Sequence, residues 1–220
     1  MFHIIVDLEF TPVTDRIIRR ELKNEVIEIG AVRLDGNYEF VDCFDINVQP
    51  QFTALSKNVS RLTGICRNQL ADAPGFDEAM ERFVNWIGPG EFRIYQWSEN
   101  DKNQIVKECR YKGLQDKYSP LCDKYWRDIQ RLYTRVFHKY RKPSLESALA
   151  ELALGFEGHM HSAEDDARNT ACILQTMAVR EKYEAAVNML NSFMNSGSKA
   201  TLGDVIGVDL TALYALCEAS

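Results

Sequence analysis

No apolar run in this 220-residue chain approaches the roughly 18–20 residues needed to span a bilayer, so no membrane partner is expected. There is no CxxC pair. The six cysteines, Cys43, Cys66, Cys109, Cys122, Cys172 and Cys217, are scattered, whereas a zinc site usually draws its ligands from pairs a few residues apart. Thiols spaced this way in a chain of this size are expected to be buried or inert. A Gly-rich phosphate loop is missing, which leaves a metal-free oxidoreductase or other α/β enzyme without support. Internal repeats and low-complexity tracts are missing too. The first residues lack a basic leader, and Asp7 and Glu9 interrupt the apolar stretch almost at once, so a secretory signal is not expected. What is left is ordinary globular composition, 45% hydrophobic and 26% charged, and a cytoplasmic protein with ample length for a core.

Charge is unevenly placed. The chain carries a net −6, yet the segment from Lys102 to Lys142 holds 12 Lys/Arg against 4 Asp/Glu. Segregation of this kind makes a basic surface on an acidic molecule, or else only the solvated faces of helices. Within it Arg131, Arg135 and Lys139 repeat every four residues along one stripe of an expected helix, while Leu132, Val136 and Tyr140 share another.

β-branched and aromatic residues mark three strands, HIIV (3–6), EVIEIGAVRL (25–34) and YEFVDCFDINV (38–48), the last two joined by the turn residues Asp35-Gly36-Asn37. The polar stretch 11–24 reads as loop with one helical turn. A short helix is expected over 54–62 and a strong one over PGFDEAMERFVNWIG, stopped by Gly88-Pro89-Gly90. FRIYQW (92–97) gives a fourth strand, followed by a helix from Asp101 to Lys112. A fifth strand is expected from Tyr125 to Gln130, with a helix continuing to Tyr140. Ser144 is placed to cap another helix, and the last strong one runs from Ala163 to Tyr183 or beyond. Small polar residues at 195–198 suggest a joint. The apolar tail after it, Leu202 to Leu216, suits docking on the domain or on a partner, a homodimer included. A meander followed by alternating strands and helices implies a mixed sheet with helices on its faces.

Two features point to chemistry. Residues i and i+2 of a strand share a face, so Asp7 and Glu9 project side by side. Two carboxylates that close repel, and a divalent cation removes the conflict. Taken alone, an acid-x-acid after an apolar run is more often the solvated end of a strand. The second feature is HSAEDDARNTA (161–171), where His161 precedes a helix whose first turns hold Asp165 and Asp166. These adjacent acids point in different directions, so only one easily serves a given site.

VDLEFT, WSEND and HSAEDDARNTA, in that order, resemble the DEDD superfamily of 3′–5′ exonucleases, which has an RNase H-like fold. The histidine ahead of the last acid resembles its DEDDh branch. IEIGAV and LTGI lie between the motifs in the expected places, and the resemblance covers roughly residues 2–180. VDLEFT, LTGI and GHMHSAEDDARNTA are most similar to the small RNA-trimming branch, relatives of the histone-mRNA exonuclease and of KapD-like proteins. Ser98 departs from the glycine usual at that position.

The resemblance implies an α/β, RNase H-like mixed five-stranded sheet with helices on both faces. An exonuclease domain would span 1–190 and a docked helical extension 191–220. It implies four metal-binding acids, Asp7, Glu9, Asp101 and Asp166, holding two divalent cations, Mg²⁺ or Mn²⁺. Asp165 would lie behind the site or at the surface, and His161 would be the general base, a role suited by imidazole's ordinary pKa of about 6.5. Phe10 and Thr11, with Thr63, Gly64 and Ile65, would grip the terminal nucleotide, and Arg131, Arg135 and Lys139 would guide the phosphate backbone. The implied activity is release of nucleoside 5′-monophosphates from RNA single strands or 3′ overhangs. DNA proofreading or repair, or a non-cutting 3′-end-binding module in an assembly, are the alternatives.

Overall fold

The structure is a computed structural model that describes residues 1–123 and 126–197. Its strands are β1 (Phe2–Pro12), β2 (Asn24–Leu34), β3 (Phe40–Asn47), β4 (Phe92–Gln96) and β5 (Trp126–Asp128). They form one sheet in the order β3-β2-β1-β4-β5, with β1/β2 and β2/β3 antiparallel and β1/β4 and β4/β5 parallel. Its helices are α1 (Lys57–Thr63), α2 (Arg67–Ala71), α3 (Phe76–Ile87), α4 (Asn100–Tyr111), α5 (Ser119–Asp123), α6 (Ile129–Val136), α7 (Leu145–Glu151), α8 (Ala163–Ala178) and α9 (Arg180–Gly197).

The period-2 alternation of β1 divides the core. Ile4, Val6 and Leu8 face α3 and α4, where Met80, Phe83, Ile87, Ile105 and Cys109 complete one cluster. Ile5 faces the other way, into Ile129, Tyr133, Leu149, Ala167, Ala171 and Leu174 of α6, α7 and α8. Helices therefore cover both faces of a mixed five-stranded sheet, the RNase H-like architecture. A third, smaller cluster of Ile27, Leu55, Ile65 and Leu70 seats α1 and α2.

Several elements differ from the sequence expectation. β1 does not stop at Val6 but runs on to Pro12, paired with β2 as far as Asn24. Asp7 and Glu9 are thus interior strand residues with Gly30 and Glu28 opposite them. β5 ends at Asp128, because its carboxylate caps the next helix by accepting the Arg131 N–H at 2.8 Å. α6 then ends at Val136, so Lys139 and Tyr140 lie beyond the helix that was expected to carry them. Tyr140 is fully exposed rather than sharing the inward stripe. The long last helix breaks at Val179, whose extended backbone separates α8 from α9. The boundary expected at 190/191 falls within α9, which is continuous through Gly197; residues 198–220 of the expected extension lie outside the described residues. Among the described residues no helix is long and apolar enough to cross a membrane.

Candidate active site

The pairing between β1 and β4 covers only Phe2–Ile5, and beyond it the carboxyl end of β1 projects past its parallel neighbour. In open α/β sheets, ligands collect in the crevice at this end of the strands. Asp7 and Glu9 share the α8 face of β1 there. α4 starts just after β4 and brings Asp101 to the same place, where its carboxylate accepts the Leu8 N–H between the two strand acids. Ser98, the departure from the usual glycine, accepts the Asn100 N–H at 3.4 Å and so shapes the turn into α4.

α8 brings the fourth acid, and its seating depends on β2. Gly30 lies opposite Asp7, and a Cβ built on Gly30 would stand 2.1 Å from the Ala163 carbonyl carbon and the Glu164 nitrogen. Only glycine lets the first turn of α8 lie this close to the sheet. Beside it, buried Glu28 accepts the Ala163 N–H at 2.9 Å, satisfying one of the orphan donors that the Ser162 side chain leaves uncapped. Asp166 then accepts the His161 N–H at 3.2 Å. His161 has a left-handed backbone (φ 65°), and its Nδ1 is 3.7 Å from Glu9 Oε1. Donor atoms of Glu9, His161 and Asp166 all fall within 4.8 Å of one another.

The loop carrying His161 is stapled to α8. Asn169 accepts the Glu157 N–H and donates to the Glu157 and Asp165 carbonyls. Asp165 accepts the His159 N–H at 2.8 Å and packs against Gly158, where any Cβ would meet its carboxylate. Of the two adjacent acids, Asp166 is the one turned toward Glu9 and His161, while Asp165 braces the loop. His161 itself is about half exposed.

Electrostatically the site is unbalanced. Burial, reinforced by the charges of Asp101, Asp166, Glu9 and Glu28, raises the Asp7 carboxyl well above its ordinary range. Burial and the neighbouring carboxylates, Asp166 first, push Glu9 up to about 8. Asp101 is pushed up to about 7 by burial against the pull of its backbone hydrogen bonds, and Asp166 to about 6 by burial against the His161 N–H. Burial takes Glu28 to about 7, with Asp45 of β3 adding to the crowding. Among the described residues, His161 is the only basic side chain within ion-pair distance of these acids. Carboxylates gathered this tightly around one point can ionise together only if positive charge joins them.

The expected substrate-contact residues fare unevenly. Phe10 is partly exposed beside Glu9, at a bulge where β2 supplies the extra residue Ile27. Thr11 is fully buried, and its hydroxyl accepts the Ser56 N–H at 3.3 Å, so it anchors the approach to α1 and presents no group to a ligand. The Thr63 hydroxyl donates to the Val59 carbonyl and accepts the Ile65 N–H. Gly64 closes α1 with a left-handed φ of 77°, and Ile65 is buried in the third cluster. Of the 63–65 turn only Ile65 is buried; Thr63 is half-buried and Gly64 exposed. Arg131 and Arg135 are exposed on α6, but Lys139 is ion-paired to Glu151 at 3.0 Å. The sequence alone does not reveal Glu28, Gly30 and Asn169 as parts of the site's support; the first two lie within IEIGAV.

The family model described as Exonuclease (RNase_T) matches residues 4–174. The ERI1 exoribonuclease 2 of Mus musculus is 28% identical over 241 residues, covering 99% of this chain and 34% of that protein. The ERI1 exoribonuclease 2 of Danio rerio is 31% identical over 199 residues, covering 80% and 35%. The chain thus spans about a third of the length of these curated relatives. Among solved structures, the nuclease domain of 3′hExo, a DEDDh family member, bound to rAMP, superposes with a TM-score of 0.70 at 26% identity, covering 80% of this chain and 90% of that one.

Proposed function

The chain belongs to the Exonuclease (RNase_T) family, and on that premise we propose that it is a metal-dependent 3′–5′ exonuclease releasing nucleoside 5′-monophosphates from RNA single strands or 3′ overhangs. The observation that carries this reading is the convergence of Asp7, Glu9, Asp101 and Asp166 at the carboxyl end of β1, where burial first and neighbouring carboxylates second raise the pKa of each. An all-oxygen donor set of this charge fits Mg²⁺ or Mn²⁺. Those four acids would hold two divalent ions, which when bound supply positive charge at the scissile phosphate and ease ionisation of water.

The remaining roles fall to the chain itself. His161 takes the proton of the attacking water at its imidazole as the water oxygen bonds to phosphorus and the bond to the 3′ oxygen of the preceding nucleotide breaks, that oxygen taking a proton from solvent to leave as the new 3′ hydroxyl. The Glu9 carboxylate beside Nδ1 orients that ring and stabilises the imidazolium. Phe10, partly exposed next to Glu9, offers a face on which the terminal base or sugar rests. Arg131 and Arg135 are free to meet phosphates, whereas Lys139 already has a carboxylate partner. RNA is favoured over DNA because the relatives above are named as exoribonucleases. A cytoplasmic site of action belongs to the same reading.

The test uses 5′-labelled RNA and DNA strands of one sequence, incubated with the protein and Mg²⁺, with and without EDTA. The expected result is a ladder shortening from the 3′ end, faster on RNA and abolished by EDTA. Tight binding with no ladder on either strand would favour a non-cutting reader of 3′ ends. Faster shortening of DNA would reassign the substrate.

A further inference from the structure

A second basic locus lies on α1 and α2, tied to the end of β1 by the Ser56 N–H bond to Thr11. A cavity of about 350 Å³ opens along α1, lined by Leu55, Lys57, Ser60, Arg61 and Arg67. That volume suits one nucleotide-sized unit. Lys57, Arg61 and Arg67 are exposed, and among the described residues none has a carboxylate within ion-pair distance. Three unneutralised cations around one hollow stand out on a chain of net charge −6. Leu55, almost wholly buried, closes the floor of the hollow.

The hollow is tied to β1 and β2 through part-buried polar contacts. The Ser56 N–H, next to Lys57, is held by Thr11, two residues beyond Glu9 on β1. Ser60 donates its hydroxyl to the Ile65 carbonyl at 2.7 Å. Glu25, fully buried, accepts the Gln51 and Phe52 N–H groups at 2.7 and 2.8 Å and pins the approach to α1. The cations therefore stand at a set position relative to Glu9, not on a wandering loop.

We propose that this cavity binds the sugar–phosphate backbone of the substrate strand upstream of the scissile phosphate; the inference rests on the nuclease reading above. Once a 3′ terminus sits at the acids, the strand has no phosphate beyond it, so flanking cations meet upstream phosphates. Three such cations also offset the repulsion that an acidic centre imposes on an approaching polyanion. The hydroxyls of buried Thr11 and half-buried Thr63 thus align the groove, and Lys57, Arg61 and Arg67 make the contact.

The experiment measures binding in EDTA, where no cleavage occurs, for ten-nucleotide and two-nucleotide single-stranded RNA. It compares the full chain, the variant Lys57→Gln/Arg61→Gln/Arg67→Gln, and the charge-retaining Lys57→Arg/Arg61→Lys/Arg67→Lys. With a salt slope near 0.7 per phosphate contact on a single strand, the Gln variant should lower the ten-mer slope by roughly 2 and the affinity by ~tenfold or more. The dinucleotide should lose far less, and the charge-retaining variant should recover most of the ten-mer affinity at an unchanged melting temperature. Equal losses for both lengths, or an unchanged salt slope, would overturn the proposal. Displacement of the ten-mer by sub-millimolar inorganic phosphate would do so too, reassigning the hollow to a free anion. Cleavage is assayed separately with Mg²⁺: a wild-type chain that binds but never cuts sinks the nuclease reading, while the binding arm still decides the cavity.

Discussion

Replacing Gly30 with alanine perturbs the site without touching any of its acids. The added methyl would lie 2.1 Å from backbone atoms of Ala163 and Glu164, where ordinary contact begins near 3.4 Å. Neither neighbour is a side chain that could swing aside, so the first turn of α8 must retreat from β2 by about 1.3 Å. Glu28 then loses its bond to the Ala163 N–H, and Asp166 moves away from Glu9 together with the His161 N–H it accepts. A displacement of ~1 Å in catalytic geometry costs about 10²-fold in rate. Overpacking of this kind costs about 1–3 kcal/mol, which at ~2–4 °C per kcal/mol for a chain of this size lowers the melting temperature by roughly 2–12 °C. The assay is kcat/KM on single-stranded RNA, read well below the variant's melting temperature so that unfolding does not contribute. A Gly30→Ala protein with wild-type activity and melting temperature would refute the claim that close approach of α8 to β2 sets the acid geometry.

Glu28→Ala should reduce activity and cost about 1–3 kcal/mol by orphaning the buried Ala163 N–H, whereas Glu28→Gln, which keeps an acceptor oxygen, should stay closer to wild type on both measures. In EDTA, thermal stability should fall as pH rises through the window from Glu9's ordinary 4.5 to its folded value of about 8. The folded state holds protons there that the unfolded chain has released. Mg²⁺ or Mn²⁺ should remove that fall, and calorimetry should detect protons released on ion binding near pH 7; pH-independent stability in EDTA would contradict the crowding. Lys112→Met should cost about 3–5 kcal/mol, because Glu25 and Glu108 are both fully buried and Lys112 is their shared cation. Denaturant unfolding checks this, and a loss below about 1 kcal/mol would mean the network is satisfied without the lysine.

Most of the sheet was legible because strand segments such as HIIV and EVIEIGAVRL carry their burial in β-branched residues. The length of β1 was not. Asp7 and Glu9 look like a solvated strand end, and only pairing with β2 makes them interior positions. The break between α8 and α9 leaves no trace in the periodicity, while the early end of β5 could have been read from Asp128 as an N-cap. In the candidate site, the three ordered motifs pointed to the acids and His161, and the structure gathers them. The contact residues were less readable. Thr11 and Thr63 look like exposed hydroxyls beside a motif, but Thr11 is taken up by Ser56 across the fold, and Thr63 bonds back to Val59 one turn earlier in α1. Glu28 and Gly30 read as ordinary strand residues, since their importance lies in α8, more than 130 residues away along the chain. Arg61 and Arg67 are not legible as a pair because they fall outside the basic segment, on two short helices set by the small cluster around Leu55.

The most direct test of the central claim follows the first bond broken. An RNA strand radiolabelled at the phosphate joining its last two nucleotides is mixed with the protein and Mg²⁺, alongside Asp7→Asn and Asp166→Asn. The account predicts that the label leaves first as a nucleoside 5′-monophosphate, and that each substitution cuts the rate by at least ~10³-fold. Label released as a longer fragment, or undiminished release by either variant, would contradict it.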